Sequence, residues 1–135
     1  MTEKGFVDNF LRVFAANLSQ QQNKKLRVDI AKRSLMWDIF ASQTVACFEG
    51  DVARAKYDSV DKVGALAFLH KSPNTLSSFE ELGELYDALF TSNGVDKSGL
   101  FELYIVGHDF KWCYVVTHAG NSSGPFFCYA PKNLI

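Results

Sequence analysis

The chain has 135 residues, of which 47% are hydrophobic and 21% charged, so it is long enough and apolar enough to build its own core. Its 14 Lys and Arg residues nearly balance its 15 Asp and Glu residues, so the chain has no large positive net charge that would attract nucleic acid or an anionic membrane. No apolar run approaches the roughly 20 residues that span a bilayer, the N-terminus lacks a signal-peptide pattern, and the three cysteines form no C-x-x-C pair. We therefore expect a single α+β domain over residues 1–135, cytoplasmic, with no cofactor or metal and no nucleic-acid or membrane partner.

The N-terminal third predicts two helices. Apolar residues recur every four positions over residues 2–18, which is typical of an amphipathic helix, and Thr2 is placed to cap its start. Ser19 with Gln22 matches a capping box, so a second helix is expected over Gln20–Arg33. The short joint between them predicts a helical hairpin. The inward residues expected in the second helix are Leu26, Val28, Ile30 and Ala31.

The middle of the chain is less regular. Leu35–Phe40 fits either the end of the second helix or a short strand, and we favour an extended segment, as we do for Gln43–Phe48. Asp51 is expected to cap a short helix over Val52–Ser59. Val63–Leu69 is a near-continuous apolar run of strand length, typical of a central strand covered on both faces.

A loop and a further helix are expected next. Lys71–Ser77 contains Pro73 and Asn74 and reads as a loop. Ser78 with Glu81 forms a second capping box, which predicts a helix that continues to about Phe90.

The last third predicts three strands, about 100–107, 111–118 and 125–130, connected as an antiparallel meander. Leu103 and Ile105 are expected on one face of the sheet and Tyr104 and Val106 on the other, and the side chains of the next strand alternate between the faces in the same way. A turn is expected at His108–Lys111, between the two strands. The fold class is therefore α+β: an antiparallel β-meander with an N-terminal helical hairpin and one further helix packed on the sheet.

Motifs of catalysis and metal binding are weak. Gly120–Gly124 satisfies G-x-S-x-G, but Pro125 and a predicted strand follow where a hydrolase needs a helix, so a hairpin loop is expected. The three histidines have no H-x-x-x-H spacing, and His118 and Cys113 differ in parity along one strand. We expect no catalytic cysteine and no metal site.

Aromatic residues are more numerous than one face of a small sheet needs. Core packing is the ordinary position for each of them singly, whereas a cluster that reaches the surface would mark a partner site or a dimer interface. The surplus consists of Trp37, Tyr104, Trp112, Tyr114, Phe126, Phe127 and Tyr129. As binding residues we predict Trp37, Asp38, Trp112, Tyr114, His118 and Phe127.

Three segments together resemble a family of small bacterial proteins with a domain of unknown function. They are Leu35–Ala41, Cys47–Asp58, and Asp109–His118 with the Gly-Pro-Phe-Phe that ends at Phe127. The family pattern has Trp-x-x-Phe, a Gly-x-x-Ala helix start, and Phe-x-Trp-Thr-Tyr-Val-x-Thr-His before Gly-Pro-Tyr-Phe, over about residues 19–128. The ending is also similar to small α+β immunity proteins.

Two functions follow as hypotheses. The first is a non-enzymatic protein-binding module, immunity-like, whose partner is another protein or a second copy of the chain. The alternative is a small-molecule enzyme in which His118 is the general acid or base, with Asp109, Asp38 or Tyr114 nearby and a concave pocket around the imidazole.

Overall fold

The computed structural model describes residues 2–16, 18–33, 46–69, 75–78, 103–116 and 125–130. Within these ranges the chain forms three α-helices, six strands and one short 3₁₀-helix. In chain order they are α1 (Glu3–Phe14), α2 (Gln20–Arg33), β1 (Phe48–Glu49), α3 (Gly50–Ser59), β2 (Leu66–Leu69), β3 (Thr75–Ser78), β4 (Leu103–Val106), the 3₁₀-helix (His108–Phe110), β5 (Trp112–Val116) and β6 (Phe126–Tyr129). The predicted segment 35–40, the predicted helix 79–90 and His118 lie outside the described residues.

The N-terminal helical hairpin forms as predicted, with caps at both helix starts. The Thr2 hydroxyl oxygen accepts a hydrogen bond from the Gly5 amide at 3.0 Å. Ser19 and Gln22 complete the capping box, because each accepts from the other's amide, at 3.1 Å and 2.9 Å. An ion pair between Arg27 and Asp8, 2.9 Å long, links α2 to α1. Both side chains are half-exposed, so this pair adds only about 0–1 kcal/mol.

Helix α1 is held by the apolar stripe that its sequence predicted. Phe6, Phe10 and Phe14 are buried, and full burial of each such ring contributes about 1.5–3 kcal/mol. The Phe6 ring stacks on Phe68 of β2 with centroids 4.5 Å apart, and Phe10 meets Tyr104 of β4 edge-on at 5.6 Å. These contacts cover one side of the sheet, which we call the α1 face.

The strands form one antiparallel sheet in the order β1-β6-β5-β4-β2-β3. Strands β4, β5 and β6 are neighbours in chain order, which confirms the predicted meander, and Cys113 of β5 lies opposite Cys128 of β6. The predicted alternation also holds. Tyr104, Val106, Cys113 and Val115 pack on the α1 face, and Leu103, Ile105, Trp112, Tyr114 and Val116 pack on the other.

Helix α3 covers that second side of the sheet, which we call the α3 face. Ala53 and Tyr57 are its buried residues, and the Tyr57 ring stacks flat on Tyr114, with centroids 4.1 Å apart and planes 8° apart. Every residue of β4 and β5 is therefore buried, since both faces of the central strands are covered. The predicted class, an α+β protein with helices packed on an antiparallel sheet, is confirmed.

A predicted loop and a predicted helix cap are wrong. Thr75–Ser78 forms β3 and pairs with β2, where a loop was expected up to Ser77. This short polar segment is extended because its backbone pairs with β2 along its whole length. Ser78 ends this strand, and its predicted role as a helix cap stays a prediction because the residues after it lie outside the described part of the chain. Helix α3 begins at Gly50, so Asp51 lies in its first turn, where it pairs with Arg54 at 2.6 Å, and is not the cap.

Two apolar residues are more exposed than predicted. Val28, expected to point inward from α2, is 46% exposed, and Leu26 alone of its described inward set packs against the core. Val63 is 76% exposed because Gly64, with a φ of +77°, turns the chain before β2 begins at Leu66.

Candidate functional site

A row of aromatic side chains runs beneath α3 and reaches the surface at the edge of the sheet. It begins at Tyr57, which meets Trp112 edge-on at 5.8 Å, and Trp112 stacks on Phe127 at 5.8 Å. Phe127 then contacts Tyr129 edge-on at 4.9 Å, and Tyr129 contacts Phe48 edge-on at 6.4 Å. Successive rings lie at the separations typical of attractive aromatic pairs, so the row forms one packed unit.

The outer end of the row is an exposed aromatic pair, Phe48 and Tyr129. Phe48 is 37% exposed and Tyr129 47%, and they lie on the adjacent strands β1 and β6. The Lys56 ammonium lies over the Phe48 ring, 5.0 Å from its centroid. Val52, one turn before Lys56 on the same side of α3, is also exposed. The pair, Val52 and Lys56 together are called the edge patch below.

Of the six predicted binding residues, the structure describes three, and it buries all of them. Trp112, Tyr114 and Phe127 belong to the core cluster of the α3 face, because α3 lies directly over β5 and β6. They are therefore not an exposed surface themselves, but Trp112 and Phe127 stand directly behind the exposed aromatic pair. Trp37, Asp38 and His118 lie outside the described residues, and their role in binding stays a prediction.

The exposed aromatic pair itself was not predicted. Tyr129 was counted among the surplus aromatic residues, but nothing marked it as the exposed one. Phe48 carries a weak signal, since it immediately precedes the Glu49-Gly50 break and so lies at a strand end. Its pairing with Phe127 joins segments almost eighty residues apart, and chain order alone does not reveal that contact.

A shallow groove of about 540 Å³ lies beside Trp112. The turn before β2 and the β4–β5 turn line it with Val60, Asp61, Val63, Gly64, His108, Lys111 and Trp112. The His108 imidazole lies 3.3 Å from the Asp109 carboxylate, and both groups are mostly exposed to solvent. Such an exposed pair contributes little to orienting an acid or base. The pocket that the enzyme hypothesis predicts is around His118, outside the described residues, and stays a prediction.

The β4–β5 turn next to the groove has an unusual backbone. Asp109 and Phe110 both have positive φ, +57° and +56°, which is costly for residues other than glycine. Phe110 is held there because its ring is buried 5.4 Å from Phe6 of α1. The turn is thus fixed by core packing on the α1 face.

The three cysteines lie close together and are protonated at neutral pH. Burial raises the pKa of Cys47 to about 12 and that of Cys128 to about 11, and it raises the pKa of Cys113 well above its ordinary value. A nucleophilic cysteine needs a thiolate, so these thiols are poor nucleophiles at neutral pH. Among the described residues, no cluster of His, Cys, Asp and Glu side chains has the arrangement of a metal site.

The chain matches a known family model over most of its length. A family model described as Domain of unknown function (DUF4275) covers residues 4–127. The match therefore begins nearer the N-terminus than the resemblance noted in the sequence, which began at about residue 19. Neither a curated protein nor a solved structure matches the chain. In the part of the chain that the structure describes, no helix has both the length and the apolar character needed to cross a membrane.

Proposed function

The chain belongs to the DUF4275 family, a domain of unknown function, and we propose that it is a non-enzymatic protein-binding module. The observation that carries the proposal is the exposed aromatic pair, Phe48 and Tyr129, at the edge of the sheet. Tyrosine and phenylalanine are enriched in the buried cores of protein–protein interfaces, where a few such side chains supply most of the binding free energy.

The packing behind the pair supports this role. Phe127 is fully buried, contacts Tyr129 at 4.9 Å and lies opposite Phe48 in the ladder between β6 and β1. The exposed rings therefore rest on a rigid base, and little side-chain entropy remains to be lost when a partner covers them. Preorganisation of this kind increases affinity without any additional contact.

The charges around the pair fit a protein surface with a polar rim. Lys56 lies over Phe48, while Glu49 and Asp51 are exposed on either side of Gly50. Positive and negative groups thus border the same apolar centre, as they do in many protein interfaces. The net charge of −1 gives no reason to prefer a highly charged polymer as the partner.

The specific form that we propose is a bacterial, cytoplasmic, immunity-like protein, which covers a toxin domain and so blocks it. The sequence around Trp112–His118 motivates this form through its similarity to immunity proteins. The three thiols are in keeping with a reducing compartment.

Affinity capture with matched variants tests the proposal. A tagged wild-type chain, a Phe48→Ser/Tyr129→Ser double variant and a Val28→Ser control serve as baits in a bacterial lysate, with retained proteins quantified by mass spectrometry. Val28 is exposed to a similar extent but lies on α2, which contributes no residue to the edge patch. The captured partner is then purified, and its Kd for each chain is measured.

We expect the double variant to bind at least about 30-fold more weakly than wild type, the usual loss when an interface hot spot is removed, and the control to bind normally. Circular dichroism must show all three chains folded. A partner that binds the double variant as well as wild type contradicts the site assignment. Light scattering identifies the remaining outcome, in which the patch joins two copies of this chain.

A further inference from the structure

All three cysteines lie on or next to neighbouring strands, although they are far apart in sequence. Cys113 of β5 lies opposite Cys128 of β6, and both pack in the core cluster of the α1 face. Cys47 immediately precedes β1, the other neighbour of β6, and packs against the same cluster. The thiols therefore form a row across three strands, with Cys128 in the middle.

The ladder between β1 and β6, continued by one residue beyond the start of β1, brings Cys47 opposite Cys128. Phe48 pairs with Phe127 and Glu49 with Phe126, so the same register, one residue further, pairs Cys47 with Cys128. The Cys128 sulfur contacts the carbonyl oxygen of Ala46 at 3.6 Å, which shows that this side chain lies against the segment that leads into β1.

The hydrogen-bond pattern distinguishes the two possible thiol pairs. The Gly50 amide donates to the Pro125 carbonyl at 2.9 Å, and hydrogen-bonded pairs alternate along an antiparallel ladder, so Cys47 and Cys128 fall at a non-hydrogen-bonded position. Side chains approach most closely at such positions, where the Cα atoms are about 4.5 Å apart, within the range that a disulfide requires. On the other side of β6, the Ala130 amide donates to the Lys111 carbonyl, so Cys113 and Cys128 form a hydrogen-bonded pair, with Cα atoms about 5.5 Å apart. That spacing also permits a disulfide, so the full burial of Cys113, against the partial exposure of Cys47, is what favours the Cys47–Cys128 pair.

We propose that Cys47 and Cys128 are a site of thiol–disulfide exchange that closes to a cross-strand disulfide when the protein meets a low-molecular-weight disulfide. Cys47 is the most accessible of the three thiols, so it attacks first. Its thiolate forms a mixed disulfide with one half of the small molecule and releases the other half as a thiol. The Cys128 thiolate then attacks the Cys47 sulfur and expels the second half. Two protein thiols lose two electrons and two protons, and one small disulfide becomes two thiols.

The surroundings of the thiols make the exchange reaction slow at neutral pH and restrict its product to the Cys47–Cys128 disulfide. Burial raises the pKa of both thiols, Cys47 to about 12 and Cys128 to about 11, so only a small fraction is thiolate and the rate rises with pH. Cys113, which is fully buried, is not accessible to the small molecule. This inference concerns the thiol pair alone and does not depend on the proposed binding function.

Disulfide mapping of the full chain tests the inference. The protein is incubated with excess glutathione disulfide at mildly alkaline pH, remaining thiols are blocked with iodoacetamide after denaturation, and peptides are identified without reduction. Digestion needs chymotrypsin, because trypsin has no cleavage site between Lys111 and Lys132 and leaves Cys113 and Cys128 in one peptide. We expect a Cys47 peptide linked to a Cys128 peptide and an alkylated Cys113.

Variants sharpen the result, with folding checked by circular dichroism. Cys113→Ala should form the same bridge as wild type, whereas Cys128→Ala should stop at a glutathione adduct on Cys47. Wild-type mapping alone decides the matter if a variant does not fold. A bridge to Cys113, a stable adduct on Cys47 of the wild type, three unreacted thiols, or a covalent dimer on a non-reducing gel would each overturn the proposal.

Discussion

Replacing Gly107 with alanine tests the packing that supports the candidate site. Gly107 has a φ of −71° and a ψ of 171°, which any residue adopts, so the substitution causes no backbone strain. The obstacle is Trp112: an added Cβ would lie 2.6 Å from Cε2 and 2.8 Å from Cδ1 of the indole, and it would also overlap Nε1. The optimal separation of non-bonded carbon atoms is about 3.5–4.0 Å, so either the indole or the backbone at position 107 must move.

The indole has little room to move. Tyr57 and Phe127 contact it, each with a ring centroid 5.8 Å away. Overpacking of this kind costs about 1–3 kcal/mol, so we expect Gly107→Ala to lower the free energy of unfolding by that amount. Urea unfolding followed by circular dichroism measures it.

A double-mutant cycle shows whether the indole is the cause. In a Trp112→Leu background the smaller side chain leaves space, so Gly107→Ala should cost at least about 1 kcal/mol less than it does in the wild type. Gly50→Ala is the control, because its added Cβ meets nothing within 4 Å, and its cost, due only to a φ of +63°, should not depend on Trp112. The reasoning is refuted if Gly107→Ala is neutral, or if its cost is the same in both backgrounds.

Three further predictions concern stability. Ser19→Ala removes half of the capping box and should lower the free energy of unfolding by about 0.5–2 kcal/mol, measured by urea titration; no loss would show that the cap is unimportant. Phe6→Ala should cost about 3–5 kcal/mol because the ring is fully buried, whereas Val63→Ala, at an exposed position, should change stability by less than about 0.5 kcal/mol; equal losses would contradict the assigned burial. Stability should also fall as pH rises above 9, because buried thiols such as Cys113 ionise only in the unfolded chain, at about 1.4 kcal/mol per pH unit for each. Cys113→Ala should show a shallower fall in pH-dependent urea titrations, and an unchanged slope would contradict the raised pKa.

Local patterns in the sequence were sufficient to predict the helical hairpin and the β-meander. The spacing of Phe6, Phe10 and Phe14 identified the buried stripe of α1, and Ser19 with Gln22 marked the start of α2. Along β5, the alternation from Trp112 onward assigned each side chain to its face, since strand parity is fixed by backbone geometry.

Contacts between distant segments were not predictable in the same way. Thr75–Ser78 is a strand only because β2 lies beside it, and a short polar segment carries no pattern that reveals such a neighbour. Trp112 and Phe127 were predicted at a surface because nothing in the sequence showed that α3 lies over them. The approach of Cys47 to Cys128 depends on the strand order β1-β6-β5, which chain order does not contain.

Site-specific photocrosslinking tests the proposed binding surface most directly. A photoreactive phenylalanine analogue is placed at position 48, at position 129 or, as a control, at position 28 of the full chain, which is then irradiated inside bacterial cells. We predict a covalent adduct with the same partner protein at Phe48 and Tyr129 and none at Val28. Absence of an adduct at both edge positions, or an equal yield at Val28, would contradict the assignment of the edge patch as a protein-binding site.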